Sequence, residues 1–412
     1  MSKEKRIKVG LVGLGQRGGG LMTNILSMKE VVISAVCDQF EDRIVTAAKR
    51  ITDNGDNAPI QTTDYNEVIN SGVDVIIVAT GWSLHVEVAL AAMKAGVSVA
   101  MEVGGTHNID DCWALVDCYE QTKTPFFFLE NCCYHKQEAL ATSLVRNGVL
   151  GDVSYCQGYY CHDLRGEIAG GIDTHHYRLE EYKKNNCENY PTHELGPIAK
   201  ILNINRGNRF VKVVSMASKA QGMAEYIKTT PKYTERLKDT NFNQGDVVTT
   251  MIQCENGETI LLKLDTTLPR LYERGLTVNG TRGFYFQTMN LVVLNNDEFN
   301  HELPEEMIKA TNSADKYSEY LPEEWRAITQ EQIDAGHGGM DYIMLKNLFK
   351  CVAEKLPMPI DVYDAVSWMS ITALSAQSIK QGSVPVECPD FTRGKYKDRK
   401  AVDVFEFPNI EK

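Results

Sequence analysis

Along the first 130 residues, short continuous apolar runs alternate with longer stretches whose apolar positions recur every three or four residues. RIKVGLVG, VVISAVCD, DVIIVAT, VSVAME and PFFFLEN have strand patterns. A run such as DVIIVAT, apolar throughout, suits a strand covered on both faces of a parallel sheet. Between these runs, QRGGGLMTNILSM, FEDRIVTAAKRI, LHVEVALAAMKAG and NIDDCWALVDCYEQT carry helical spacing, and DNGDNAP is a turn cluster. Strands alternating with helices in this way predict a doubly wound parallel sheet of the Rossmann kind.

The pattern changes after residue 131. A helical stretch, HKQEALATSLVRNGVLG, leads to VSYCQGYYCHD, RFVKVVSMASK, GDVVTTMIQCE, ETILLKLDTTL, RGLTVNGT, GFYFQT and NLVVLNN. Alternating polarity, with turn signals such as ENGE and NGTRG, predicts a large and mostly antiparallel sheet. Residues 305–335 are rich in charge and Tyr and suggest an irregular excursion. Two late helices, MDYIMLKNLFKCVAEKL and YDAVSWMSITALSAQSIKQG, are expected to close this second domain. The expected fold class is α/β plus α+β: a Rossmann domain at 1–131 and a sheet-based α+β substrate domain at 132–412.

A length of 412 residues exceeds a typical single core and fits two domains. The net charge of −12 disfavours nucleic acid and anionic membrane as partners, since both require a basic surface. The opening MSKEKRIKVGLVG has a basic start but no separate apolar region or small-residue cleavage site, so a cytoplasmic protein is expected. Eleven cysteines, an odd number with no Cys-x-x-Cys spacing, suggest reduced, buried thiols rather than a disulfide framework or a zinc site. Catalysis without a metal is expected.

Chemistry enters with Gly13-x-Gly15-x-x-Gly18, which follows a strand, opens a helix and precedes Asp38 at the end of the next strand. The glycines let the backbone approach a pyrophosphate, and the helix N-terminus offers N–H donors to it. Asp38 accepts from a ribose 2′-hydroxyl and repels a 2′-phosphate, which favours NAD over NADP. VATGWSLH, AMEVGG and FLENCC end three further strands, so Trp82, His85, Glu102 and Asn131 face the cofactor side of an open sheet. The plainer alternatives are core packing for Trp82, a helix-start contact for His85 and backbone-satisfied polarity for Glu102. In NYPTHELGP, Tyr190 and His193 flank Pro191-Thr192 at the start of a helical stretch. The positive end of a helix disfavours a second positive charge, which suits His193 to a base's role. A side-chain cap from Thr192 is the structural alternative, and it is compatible with catalysis. His175–His176 lacks a third ligand at a telling spacing, and the glycines of GHGGMD around His337 suit a tight turn. Asp265, at a strand end, is placed to orient Arg270.

GLGQRG, Asp38, TGWSLH, MEVGG and LENCCY, in this order, resemble the Gfo/Idh/MocA oxidoreductase superfamily. Glu102-Val103-Gly104 stands where most dehydrogenases of that superfamily have Glu-Lys-Pro. With YYCHDLRG, NYPTHELGP, TTLPRLYERG and GHGGMDY, the chain most resembles the NAD-dependent glycosidases of glycoside hydrolase family 109. That resemblance implies NAD contacts from Gly13, Gly15, Gln16, Arg17, Asp38, Trp82, Ser83, Leu84, His85, Glu102, Val103, Asn131 and Tyr190. It implies sugar contacts from Tyr160, Arg178, Tyr190, Pro191, Thr192, His193 and Tyr272, with His193, Tyr190 and Tyr160 in catalysis. Residues 166–188 depart from the family pattern, carrying Tyr177-Arg178 after His175–His176. The implied activity is redox-assisted hydrolysis of a hexoside such as an α-N-acetylgalactosaminide. The rival functions are net sugar or polyol dehydrogenation and a silent NAD-binding sensor. Pairing of copies through the C-terminal sheet is also expected.

Overall fold

The computed structural model describes residues 6–295 and 304–410, which excludes the basic start of the chain. Its residues gather into two compact units: 1–103, 109–135 and 324–366 in the first, and 104–108, 136–323 and 367–412 in the second.

Among the described residues, the first unit holds a six-stranded parallel sheet ordered β3-β2-β1-β4-β5-β6. Its strands are β1 Ile7–Val12, β2 Val31–Cys37, β3 Ile60–Thr62, β4 Val75–Val78, β5 Ser98–Met101 and β6 Phe126–Phe128. The strand order reverses direction at β1, the switch point where such sheets bind ligands beyond their strand ends. β4 is buried along its whole length, as the continuous apolar run VIIV requires of a central strand. β3 and the short helix Tyr65–Ile69, capped by Asp64, have no clear hydrophobic period in the sequence.

Segment 324–366, distant in sequence, also belongs to the first unit. Its helix Met340–Glu354 packs on Gln16–Leu26, and the amide of Phe128 donates to the carbonyl of Ile360. The first of the two late helices therefore completes the Rossmann unit rather than the sheet unit.

The second unit carries an eight-stranded mixed sheet ordered β13-β12-β11-β7-β10-β9-β8-β14 among the described residues. Its strands are β7 Val153–Cys161, β8 Phe210–Ala217, β9 Val247–Cys254, β10 Thr259–Asp265, β11 Thr277–Gly280, β12 Gly283–Phe286, β13 Leu291–Leu294 and β14 Val386–Glu387. Only the β7–β10 pairing is parallel. In β9 the buried residues alternate strictly with exposed ones, so one face packs and the other stays open. The irregular excursion resolves into short helical pieces, including Glu305–Asn312 and Gln330–Asp334. Across the described residues, no helix is long and apolar enough to cross a membrane.

Candidate active site

In the Rossmann unit, β1 ends in a turn that only glycine can make. Gly13 has φ of 94°, and a Cβ there would lie 2.4 Å from the carbonyl oxygen of Ala79. A Cβ on Gly18 would lie 1.9 Å from the carbonyl oxygen of Gly13, so the helix Gln16–Leu26 rests directly on the turn. Gly15 is different. Its φ of −65° suits any residue, and the nearest atom to its missing side chain is the Arg43 guanidinium at 3.6 Å. The protein's own packing does not require glycine there. What the absent side chain leaves open is the start of the helix, which carries no side-chain cap. An open, uncapped helix N-terminus at the switch point fits a dinucleotide pyrophosphate.

Asp38 is buried, and its carboxylate accepts from the amides of Leu14 at 2.7 Å and Phe40 at 3.0 Å. It thus fixes the glycine turn as well as standing at the ribose position of the fingerprint. Gln16 is exposed at the helix start. Trp82, Ser83, Leu84 and His85 form the first turn of the helix Trp82–Lys94. Leu84 is exposed, whereas Trp82 and His85 are buried. The His85 ring nitrogen Nε2 lies 3.0 Å from the carbonyl oxygen of Thr80, and burial brings its pKa down to about 4. A neutral imidazole that donates to its own chain matches the plainer reading of this residue.

Arg17, Glu102 and Asn131 converge on a residue that the sequence did not single out. The Arg17 guanidinium donates to Glu102 Oε1 at 2.8 Å and to both oxygens of Asp341, at 2.6 and 3.1 Å. Asn131 donates to Asp341 Oδ1 at 2.7 Å, and His337 Nδ1 lies 2.6 Å from Oδ2. Burial opposes ionisation of Asp341, but the Arg17 charge and the hydrogen bonds from His337 and Arg17 outweigh it and hold its carboxyl well below the usual range. Burial pushes Glu102 up, and the shared Arg17 offsets this only in part. Glu102 also accepts from the Val103 amide at 3.2 Å, and Val103 is buried. His337 sits in the expected glycine turn, with Gly336, Gly338 and Gly339 all at positive φ.

In the sheet unit, Tyr160 near the end of β7 meets Tyr190 and His193 at the helix Thr192–Ile201. The ring centroids are 4.6 Å apart for Tyr160–Tyr190, 5.6 Å for Tyr160–His193 and 4.8 Å for Tyr190–His193. The Tyr190 hydroxyl lies 3.3 Å from His193 Nε2. Pro191 is the N-cap, no side chain caps this helix, and the buried Thr192 is its first residue. Capping by Thr192 is therefore not what this stretch provides.

Arg178, buried at the start of Arg178–Lys184, stands 4.9 Å over the Tyr190 ring, with Nε 2.9 Å from Glu167 Oε1. Burial raises the Tyr160 pKa strongly, and the Arg178 charge counters this only in part. Half-exposed Tyr272 accepts from Arg274 at 3.1 Å, and Arg274 in turn donates to buried Glu138 at 2.7 Å. Gln287 completes that carboxylate's shell at 2.8 Å. Arg270 donates to Asp265 at 2.5 Å, as expected. His175 caps the helix Arg165–Thr174 at φ of 57°, and His176 stacks on Tyr177 at 4.5 Å.

His162 was also missed. Its Nδ1 is 3.4 Å from the Tyr160 hydroxyl, and its ring is 5.0 Å from that of Tyr272. The available signal was its place two residues beyond Tyr160 on an extended segment, which puts both side chains on one face.

A Rossmann sheet with this glycine turn defines a dinucleotide-binding domain. The model of the oxidoreductase family with NAD-binding Rossmann fold matches residues 7–128, and that of the glycosyl hydrolase 109 C-terminal domain matches residues 134–398. A glycosyl hydrolase family 109 protein of Stenotrophomonas maltophilia is 34% identical over 98% of this chain and 93% of its own length. An alpha-N-acetylgalactosaminidase of Tannerella forsythia is 34% identical over 95% of this chain and 88% of its own. The chain belongs to glycosyl hydrolase family 109 and is an NAD-dependent enzyme. A solved levoglucosan dehydrogenase in complex with NADH and levoglucosan shares the fold at a TM-score of 0.70 and 19% identity, covering 93% of this chain and 100% of that one. A myo-inositol 2-dehydrogenase of Lactobacillus plantarum does so at 0.66 and 15%, covering 93% and 100%.

Proposed function

We propose that this enzyme hydrolyses a hexoside, such as an α-N-acetylgalactosaminide, by transient oxidation at C3 and elimination across C1 and C2. The observation that carries the reading is the packed trio of Tyr160, Tyr190 and His193 beneath Arg178. Direct displacement at C1 needs two free carboxylates flanking the bond, roughly 5–10 Å apart. Here Glu167, whose charge acts on Tyr160, is tied to Arg178, and Asp163, beside His162, is tied to Arg165. Phenols and imidazoles are suited instead to moving protons.

Gly13, Gly15, Gln16, Arg17, Asp38, Trp82, Ser83, Leu84, His85, Glu102, Val103 and Asn131 are the proposed holders of NAD, with Tyr190 beside the nicotinamide. When bound, NAD supplies the hydride acceptor and later the donor for sugar C3. His193, through Tyr190, takes the proton of the C3 hydroxyl. The resulting ketone acidifies the C2 hydrogen, and Tyr160 serves its removal as a proton while the aglycone departs from C1. Water adds at C1, and the same groups return their protons as the ketone is reduced. Arg178, Tyr272, Pro191 and Thr192 position the sugar. No net oxidation results.

Hydrolysis in D2O tests this. The product sugar is expected to carry deuterium at C2, and thioglycosides are expected to be cleaved, because elimination does not depend on protonating the leaving atom. Complete retention of the C2 hydrogen during turnover would exclude the route. Reduced cofactor accumulating in step with turnover would mark a net dehydrogenase instead.

We also propose that two copies pair through the open sheet face, where Met216 and Met251 are exposed. Sedimentation velocity of the unaltered protein and of Met216→Lys distinguishes a dimer from a monomer.

A further inference from the structure

The route just proposed must remove two different protons, one from the C3 oxygen and one from C2. The Tyr190–His193 pair accounts for only the first. Tyr160 alone is a poor recipient for the second, because a neutral phenol accepts a proton only as it gives up its own. The sheet unit contains a second phenol–imidazole pair of the same kind. The Tyr160 hydroxyl is 3.4 Å from His162 Nδ1, against 3.3 Å for Tyr190 and His193 Nε2. Both spacings are at the long end for a hydrogen bond, as is common before substrate tightens a site. The two pairs touch, with 4.6 Å between the tyrosine rings.

We propose that His162 is the proton acceptor behind Tyr160, so that this site works with two phenol–imidazole pairs, Tyr190–His193 for the C3 hydroxyl and Tyr160–His162 for the C2 hydrogen. The proposal rests on the elimination reading above. In the step, the C2–H bond breaks and its electron pair enters the enolate of the 3-ketone. The proton passes to the Tyr160 oxygen while the phenol's own proton passes to His162 Nδ1. The enolate pair then forms the C1–C2 double bond as the C1–O bond breaks. The aglycone leaves with the bonding electrons and takes a proton from water. On the return, His162 gives its proton back through Tyr160 to C2.

The surroundings suit His162 to this task. Burial keeps the imidazole neutral and ready to accept, aided by the charge of Arg178 and by His193. Glu167 and Asp163 act in the opposite sense and favour the imidazolium once it has formed. Tyr272 covers the ring edge-on at 5.0 Å. Arg178 also eases ionisation of Tyr160 against its burial, so one cation serves both members of the pair.

The test supplies a 3-keto glycoside to the protein as purified, in D2O, and follows deuterium entry at C2 by NMR. This substrate needs no oxidation step. His162→Gln keeps an acceptor for the Tyr160 hydroxyl but cannot take up a proton. It is expected to slow C2 exchange by about 10²–10³, with its melting temperature preserved. Tyr160→Phe should slow exchange equally, and the double variant should lose no more than either single one. Undiminished exchange in His162→Gln would overturn the pair while leaving the elimination reading intact. No exchange by the unaltered protein would overturn both. The pH profile carries the test independently of folding. Exchange by the unaltered protein should fall on the acidic side, as His162 becomes protonated. Asp163→Asn removes a charge that favours the imidazolium and frees Arg165, so this limb should move to lower pH by a few tenths of a unit. A limb that stays in place or moves upward would also overturn the proposal.

Discussion

The two units organise their polar interiors in opposite ways. The Rossmann unit gathers full charges that neutralise one another, with Arg17 held between Glu102 and Asp341 and with Asn131 and His337 bracing Asp341. The sheet unit gathers rings: Tyr160, His162, Tyr190, His193 and Tyr272 pack mostly edge to face, with the two rings Tyr160 and Tyr190 tilted on each other and Arg178 over one of them. Paired charges fix geometry, because moving one strands the other in a medium that solvates it poorly. An imidazole changes protonation at modest cost, and a phenol can pass a proton on while itself staying neutral. The first arrangement is suited to holding a cofactor, and the second to shuttling protons.

The sharpest break in that contrast should come from the ring cluster. His193→Ala is expected to lower kcat by about 10²–10⁴ with little change in melting temperature, whereas Asp341→Ala should lower the melting temperature itself. Steady-state kinetics and calorimetry on the two variants together decide this. Equal loss of stability in both would erase the distinction.

The sheet unit also contains one pair built like the Rossmann cluster. Arg274 and Glu138 are both buried and 2.7 Å apart. Glu138→Ala leaves the guanidinium uncompensated and should cost about 3–5 kcal/mol in denaturant unfolding. It should also disturb Tyr272, which accepts from the same arginine.

Two buried groups, one in each unit, should respond to pH in opposite directions. The pKa of His85 in the Rossmann unit is about 4, below the ordinary value of 6.5. Its unfolded form binds a proton first, so its contribution is fully present above that ordinary value and is lost as pH falls toward 4. Glu188 in the sheet unit is buried, and burial pushes it up to about 8, opposed only in part by the backbone N–H of Tyr190. Its contribution is fully present below 4.5 and is lost as pH rises through 8. Hydrogen exchange read by mass spectrometry should show protection around His85 weakening as pH falls from 6.5 toward 4, and protection around Glu188 weakening as pH rises from 4.5 toward 8. Glu188→Gln should abolish the second effect and leave the first.

The smallest effect concerns the cofactor. Asp38→Ala should weaken NAD and narrow its advantage over NADP by about tenfold, through loss of ribose contact and of repulsion toward a 2′-phosphate. It should also loosen the turn at Leu14, whose amide then lacks its acceptor. Titration with both nucleotides checks the prediction, and tighter binding of NADP by the unaltered protein would contradict it.

Local residue pattern was enough to lay out much of the Rossmann sheet and the strands of the second sheet. Apolar runs, helical spacing and glycine turns are local, and each records the burial of its own element. It also pointed to Tyr160, Tyr190, His193 and Asp38, through motifs a few residues long. The partners of those residues were decided elsewhere. Asp341 meets Arg17 across 324 positions of chain, and nothing in the period of its own helix marks it. The late helix Met340–Glu354 reads equally well in either unit, because an apolar face does not name the surface it will cover. His162 lay within a motif already noted, but its value depends on the ring beside it and on the charges of Arg178, Glu167 and Asp163 around it. Hydrophobic periodicity is imposed residue by residue along the chain. Charge compensation and proton transfer act over a few ångströms of space, and only the folded chain sets those distances.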